Sequence, residues 1–504
     1  MEFFRLKNNP GAVSVNDIPV LEYEAFAEQT IALLMKKEHH IIDYFTVLTG
    51  GKIRFFILIA GDDTHTVYIY SHVQEKELKS LASLTAHHYP MHIFEREIFE
   101  EKGIMFTGHP WLKPLRYPYE RADKNAAIST YPFYSIESEE LHEVGVGPVH
   151  AGVIEPGHFR FICHGENVLH LEIQLGYQHR GISGLLTESR GMLHRALLSE
   201  SIAGDTAVGH SLAFSQAAEA LGSFVPPSKL QAERIIALEM ERIAVHIGDT
   251  AALCGDVGYQ LGQAACEALR TIVINTTQDW CGNRFGKGLV RPGGTNFPLS
   301  VEMAGNIREK LNDVIRRYKN VTDLVYSNSG ILSRFENTGA VSVVQARSAG
   351  AVGVAARASG MKRDVRASHP FQAYTAMQYS TSSLDTGDVL ARGYMRKLEV
   401  DLSFSVIMNL LDGFGEPASE ASPKPDYRMK FKPDTLAVSL TEGWRGEISH
   451  CILTDEKGEV LAVRIIDPSV HNWTLLALAV RGAEISDFPL CNKSFNLSYC
   501  GHDL

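Results

Sequence analysis

Apolar and polar positions along the chain change their period twice, and each change marks a different kind of structure. Between residues 44 and 70 short apolar runs at 45–48, 53–59 and 66–70 are parted by Gly50-Gly51 and Gly61-Asp62-Asp63, which predicts antiparallel strands joined by turns. Ahead of them, Phe26, Ile31, Leu33 and Leu34 form one stripe of a helix near residues 22–37. Residues 122–138 lose all period and read as a linking segment. Strands return at 159–163 and 168–175 around the turn Gly165-Glu166-Asn167, and residues 171–210 read on as strand, turn and polar-faced helix. The pattern then becomes helical. Ile235, Leu238, Ile243 and Ile247 recur at helix spacing with Arg234, Glu239, Glu241 and Arg242 on other faces, and Ser228 and Gln231 stand at capping-box spacing. Further helices are expected at 251–275, 300–327 and 387–412, and a hairpin from 447–453 and 460–466. The fold class is α+β: a small α+β domain over 1–125, a linker over 126–144, and over 145–504 a mainly helical bundle with peripheral β-hairpins.

Composition narrows the function classes. With 504 residues, 45% of them hydrophobic and 21% charged, the chain is globular, and a net charge of −11 without a Lys/Arg run argues against nucleic acid as a partner. No stretch approaches the about 20 apolar residues that cross a bilayer, and the charges within Met1–Lys7 argue against a secretory signal, so a cytoplasmic protein is expected. The seven cysteines are scattered and never spaced Cys-x-x-Cys, which fits a reducing compartment and leaves no set of thiolates for an iron–sulfur cluster in this chain.

Several residues invite chemistry. Glu95, Glu97 and Glu101, with Arg96 among them, suggest an ion-pair surface for a neighbouring subunit or, equally, a solvated acidic helix. Glu155, pressed between Ile154 and Pro156, would hold a raised pKa if buried and carry a proton, the alternative being an exposed loop glutamate. His150 and His158 flank it, and imidazole titrates in the useful range. His246, one turn after Arg242, reads as a core histidine with a satisfied hydrogen bond, and His109 before Pro110 as a turn residue. Arg357, Asp364 and Arg366 make either a buried ion network or a surface set. Arg445 has the planar fork to fix an anion or a headgroup oxygen, or to clamp the hairpin.

The run Leu175-Gly176-Tyr177-Gln178-His179-Arg180-Gly181 resembles a signature shared by nickel–iron hydrogenase large subunits and the quinone-site subunit of respiratory complex I. The stretch 94–106 followed by Gly108-His109-Pro110 resembles that of the subunit beside it, so the whole is similar to a fusion of the 30 kDa-type and 49 kDa-type subunits, as in the large subunit of formate hydrogenlyase and hydrogenase-4. Glu239-x-Glu241-Arg242, the Pro292-Gly293-Gly294 turn, residues 353–374 and the Arg445 turn carry the likeness onward.

On that resemblance, Ala203, Thr206, Ser498 and Gly501 stand where hydrogenases hold four cysteine ligands, with Cys500 out of register by one. Nickel and low-spin iron need soft thiolate donors, so no metal is expected here. Glu155 matches the hydrogenase proton-path glutamate, Pro156 or Ile154 replaces the histidine that donates to quinone in complex I, Ser201 replaces an arginine, and Gly204 lies near its quinone tyrosine. Glu155, His150, His158, Asp205, His210 and Arg445 are the candidate site residues. The resemblance implies an oxidoreductase subunit active only within a complex, peripheral to the inner face of the cytoplasmic membrane, with no cofactor of its own. It implies an iron–sulfur cluster in a partner small subunit, membrane antiporter-like subunits, and a quinone or similar acceptor. The rival reading is a non-catalytic scaffold or coupling subunit, and a working hydrogenase is disfavoured by the missing thiolates.

Overall fold

The computed structural model describes residues 1–150, 152, 154–189, 191–415 and 421–504; two positions of the loop before the 159–163 strand, 151 and 153, lie outside the described residues. The first sheet is built on an antiparallel meander of His39–Thr49, Lys52–Gly61 and Thr66–Glu75, joined on its free edge by Phe4–Leu6 and Val20–Leu21. Its middle strand reads Phe55 to Ala60 without a polar residue because both faces are buried. Phe55, Ile57 and Ile59 pack with Phe26 of the helix Tyr23–Leu34 and Ile98 of the helix His92–Lys102, whereas Phe56, Leu58 and Ala60 share a core with Ile235 and Ile243 of the long helix Ser228–Asp256. The first part of the chain is thus wedged into the body of the second. Strand Gly11–Ser14 goes further and pairs antiparallel with Thr435–Gly443, completing a sheet with Gly446–Thr454 and Val460–Ile466.

The bundle consists of Ser228–Asp256, Gln260–Cys281, Val301–Val325 and Val389–Asp412, flanked by Ala207–Gly222 against the last sheet. A helix expected at 251–275 is instead divided: the long helix continues to Asp256, and Gly258, at φ +73°, reverses the chain before Gln260. The expected capping box is absent because Pro227 is the cap, Ser228 is already helical, and Gln231 Nε2 turns back to the Pro226 carbonyl at 2.8 Å. A third sheet, His142–Val146, His158–His164 and Asn167–Gln174, stands beside the terminal helices Pro468–Val480, Phe488–Phe495 and Tyr499–Asp503.

Of the acidic segment, Glu101 keeps 37% of its side chain open, whereas Glu95 and Glu97 are buried and present neither a docking surface nor a solvated face. Glu95 is fully buried and accepts from Ser83 Oγ and the Leu84 amide, both at 2.6 Å. Glu97 meets Arg116 at 2.5 Å and Arg464 at 2.7 Å, and Arg464 also reaches Asp43 at 3.1 Å, so one guanidinium from the last sheet closes two carboxylates of the first part. Its amphipathic spacing gave no hint that one partner of Glu97, Arg464, lies 367 residues away. Replacing Arg464 by Leu leaves Asp43 and Glu97 buried and facing each other, with an expected loss of about 3–5 kcal/mol. Chemical denaturation of the variant checks it, and an unchanged midpoint would refute the structural role.

Candidate functional site

Four segments converge on the last helix. The signature turn after Asn167–Gln174 holds it directly: Gly176 and Gln178 amides donate to the Asp503 carboxylate at 2.9 and 2.8 Å, and Arg180 spans to the Ser201 and Ile202 carbonyls at 2.6 and 2.8 Å. Arg291, beside the Pro-Gly-Gly turn, holds Glu200 at 2.5 Å, fixing segment 199–206 from its other side. From the loop before the 159–163 strand, the His150 ring lies tilted near Phe159 and Tyr499, and Glu155 Oε2 accepts the Cys500 amide at 3.1 Å. The hairpin 443–446 delivers Arg445 from above.

Ala203, Thr206, Ser498 and Gly501, the positions that the resemblance sets against hydrogenase ligands, carry no soft donor, and the space around them is taken. Ala203 is fully buried. Arg445 forks onto Asp205 at 2.6 and 2.7 Å, donates to Thr206 Oγ1 at 3.1 Å and to the Asn496 carbonyl at 2.6 Å. Thr206 donates its own hydroxyl hydrogen to Asp205 at 3.1 Å. Ser498 caps the last helix by accepting the Gly501 amide at 2.9 Å, and a Cβ on Gly501 would lie 2.6 Å from the Asp467 carboxylate. Each hydroxyl is committed, and a carboxylate fills the fourth place. The residues present do not fit a nickel–iron group, and among the described residues no cluster of three or more His, Cys, Asp or Glu side chains has metal-binding geometry.

What replaces it is a polar chain. Asp467 receives the His210 Nε2 hydrogen at 3.0 Å, and His210 Nδ1 meets His450 Nε2 at 3.1 Å. Burial works against the Asp467 anion, yet His210 and Arg445 bring its pKa down to about 2; as an ionised acceptor it fixes Nε2 of His210 as a donor. Burial and then the His210 ring hold His450 well below the usual histidine range. Burial likewise lowers His150 and His158, so both rings are neutral at physiological pH. His158 packs on Phe133 and forms no hydrogen bond with the other candidates among the described residues. The structure therefore brings Asp205, Thr206 and Arg445 together, sets His210 behind them on Asp467, places Glu155 and His150 on the last helix, and leaves His158 to one side.

Sequence reading missed the groups behind this front. Glu241 lies half-buried under the first turn of Ala207–Gly222, accepting the Val208 and Gly209 amides at 2.8 and 3.1 Å, and desolvation, then Asp205, pushes its pKa to about 8. Beyond it lies a closed lattice: Arg357 contacts Glu399 at 2.5 Å, Glu442 at 2.8 Å and Asp364 at 3.4 Å; Arg366 contacts Asp364 at 2.8 Å; Arg242 contacts Glu239 at 3.1 Å and Glu399 at 3.3 Å; and His246 contacts Glu399 at 3.2 Å. Glu239, Asp364, Glu399 and Glu442 face the guanidinium groups of Arg242, Arg357 and Arg366, and burial with the nearby Asp364 lifts Glu442 to about 7. The Arg357-Asp364-Arg366 set is thus the buried network, and His246 is a core histidine bonded through Nε2 to Glu399, its Nδ1 having no hydrogen-bond partner among the described residues. Glu239-x-Glu241-Arg242 carries the likeness in the sequence but not the burial of its charges; the signal missed was Asp467 before Pro468, a helix-start pair.

Comparison with known proteins agrees with this arrangement. The family model for the respiratory-chain NADH dehydrogenase 49 Kd subunit matches residues 256–503, and that for the 30 Kd subunit matches residues 25–127. A carbon monoxide-induced hydrogenase of Rhodospirillum rubrum is 30% identical over 70% of this chain and 97% of its own length. Formate hydrogenlyase subunit 5 of Escherichia coli is 27% identical, over 80% of this chain and 74% of its own. The NADH-quinone oxidoreductase C/D protein of Phocaeicola vulgatus, 22% identical, covers 88% of this chain and 90% of itself. Among solved structures, a chain of an archaeal membrane-bound sulfane sulfur reductase superposes with a TM-score of 0.67 at 23% identity, over 74% of this chain and all of that one.

Two outcomes test the site. Gly501→Ala forces a methyl against Asp467 and should cost about 1–3 kcal/mol in thermal unfolding; an unshifted melt would show that the place is vacant. Glu241 keeps its proton to near pH 8 when folded but loses it near 4.5 when unfolded, so its contribution to stability is complete below about 4.5 and is lost as pH rises toward 8. Glu241→Gln should therefore lessen the fall in unfolding free energy between about pH 6 and 8 by about 2 kcal/mol; an identical pH slope in both proteins would refute the raised pKa.

Proposed function

Because this chain belongs to the family uniting the 30 kDa-type and 49 kDa-type subunits of respiratory complex I with hydrogenase large subunits, we propose that it serves a membrane-associated complex-I-like oxidoreductase without a nickel–iron centre. In this reading electrons stay on an iron–sulfur cluster of a partner small subunit, a quinone or similar acceptor approaches that cluster along the loop 147–157, and membrane antiporter-like subunits move ions in response. The assembly sits on the cytoplasmic face of the membrane. The observation that carries this is the replacement of four thiolate positions by the Arg445–Asp205 pair, Ser498 and the Asp467 carboxylate.

Supporting it, large apolar side chains stand exposed on two sides of the last helix: Val149 and Ile154 on the loop, and Leu185, Leu193 and Leu197 on the short helices Ile182–Glu188 and Met192–Ser199. A docked partner would cover them. Asp205, with 40% of its side chain open, and the half-buried Glu155 then face the seam, and no helix among the described residues is long and apolar enough to cross a membrane by itself. In this reading Glu155, which accepts the Cys500 amide at the last helix, is the residue that exchanges a proton with the acceptor.

The closed centre gives specific support to the second reading, a coupling or scaffold subunit without a catalytic residue. The assembled complex, purified with its partners, separates them. We expect nickel well below one per complex by metal analysis, and a fall of about a hundredfold in acceptor reduction for Glu155→Gln. An unaltered rate in Glu155→Gln assigns the chain to coupling alone; one tightly held nickel per active complex overturns both.

A further inference from the structure

We propose that the chain carries a second small-molecule site, for a compact oxyanion of three or more negative charges, in the basic cavity at the seam between its first part and the helical body. This goes beyond the reading above and does not depend on it, since none of the candidate site residues lines that cavity.

The cavity encloses about 610 Å³, inside the range of roughly 300–1,000 Å³ typical of small-ligand pockets. Its charges, rather than its size, define the guest. Five lysine and arginine side chains line it against two carboxylates, in a chain whose net charge is −11. Lys36 and Lys37 come from the turn between helix Tyr23–Leu34 and strand His39–Thr49, and Arg347 and Lys362 come from the helical body. All four are exposed, and none has an ion-pair partner among the described residues. The fifth, Arg363, is buried and already spent on Glu447 at 3.2 Å. Of the two carboxylates, Asp62 is met by His40 at 3.5 Å and by His369 at 3.6 Å, which leaves Glu38 as the one lining acid without a partner.

Solvation accounts for one exposed lysine, or for two neighbours in a turn. It does not account for four unmatched cations gathered from two parts of the chain round one concavity, where they repel one another and where low-dielectric walls focus their field on an incoming anion. A second feature points the same way. His471, 6% exposed, belongs to the inner wall, and its ring nitrogens have no hydrogen-bond partner among the described residues and are not sealed from solvent. Burial, then Arg363, brings its pKa down to about 3, so the ring is neutral and keeps one N–H to donate to an oxygen of the guest. No Phe, Tyr or Trp lines the cavity, so a nucleobase or other flat ring finds no stacking face there. Dense negative charge on a small body is the chemistry that fits, and a phosphate chain or a polycarboxylate supplies it.

Calorimetric titration of the full-length chain with tripolyphosphate and, separately, with citrate, at about 0.15 M salt so that diffuse attraction is screened, tests this. Saturable one-to-one binding is expected, and the tighter of the two anions names the source. The double variant Lys36→Gln/Lys37→Gln on one side and Arg347→Gln/Lys362→Gln on the other should each weaken it about tenfold, while Lys310→Gln/Lys319→Gln, which removes the same charge from exposed positions outside the cavity, should leave it unchanged. Every substituted residue is exposed, so all three variants should keep the melting temperature of the free wild-type chain. Adenosine triphosphate should bind no tighter than tripolyphosphate. Absence of saturable binding of both anions, an affinity untouched by either cavity variant, or an equal loss in Lys310→Gln/Lys319→Gln overturns the site, and a clear preference for adenosine triphosphate overturns the assignment to a compact anion.

Discussion

A guanidinium taken out of water must find carboxylates or carbonyls within reach, because the desolvation of an isolated charge costs more than any packing around it returns. In this protein Arg234, Arg242, Arg357, Arg366, Arg392 and Arg396 are all fully buried, and each is met by groups from elements remote in sequence. Arg242 on the long helix is fixed to the Glu442 and Gly443 carbonyls of the last sheet and to Glu399 on the helix Val389–Asp412. Arg396 ties that helix back to Asp249 at 2.6 Å. Helix register is therefore set by charge complementarity as much as by side-chain shape. A slip of one residue in either helix would leave several buried ions unpaired at once.

The same rule accounts for the state of the candidate site. A protein built round a metal–thiolate centre draws part of its folding free energy from the ligand bonds. Here that place is held by Arg445, whose five donors reach Asp205, Thr206 and the Asn496 carbonyl, and by Asp467, which is itself held by His210 and the Ser469 amide. The hairpin, segment 199–206 and the last helix are stapled to one another without metal. Charged hydrogen bonds of this kind are the strong ones, and the bidentate Arg445–Asp205 geometry adds direction to strength.

Local regularities were legible in the sequence: the meander, the long helices and the last hairpin follow from period and turn residues. The misreadings share one cause. Glu95 and Glu97 have the composition of a solvated helix face, and only the three-dimensional arrangement supplies Ser83, Arg116 and Arg464 to bury them. Glu241, beside Glu239 and Arg242, reads as part of a polar helix face, and Asp467 before a proline reads as a cap; Asp467 does cap its helix through the Ser469 amide while also serving His210. Continuous apolar text at 55–60 gave the strand, but not that its second face belongs to the bundle.

Glu241 and Glu442 connect the two regions in a way that bears on coupling. A carboxyl group whose pKa lies near neutrality exists in both protonation states under working conditions, so a small change in nearby charge moves its proton. Glu241 feels Asp205 at the open front, and Glu442 feels Asp364, Arg357 and Arg366 within the lattice, while Arg242 bridges them by following Glu241 in sequence and binding the Glu442 carbonyl. Neutralising Asp205, by an acceptor or a docked partner, removes a repulsion that now keeps Glu241 protonated. Its proton then becomes easier to release, so charge at the open front bears directly on a carboxyl of helix Ser228–Asp256.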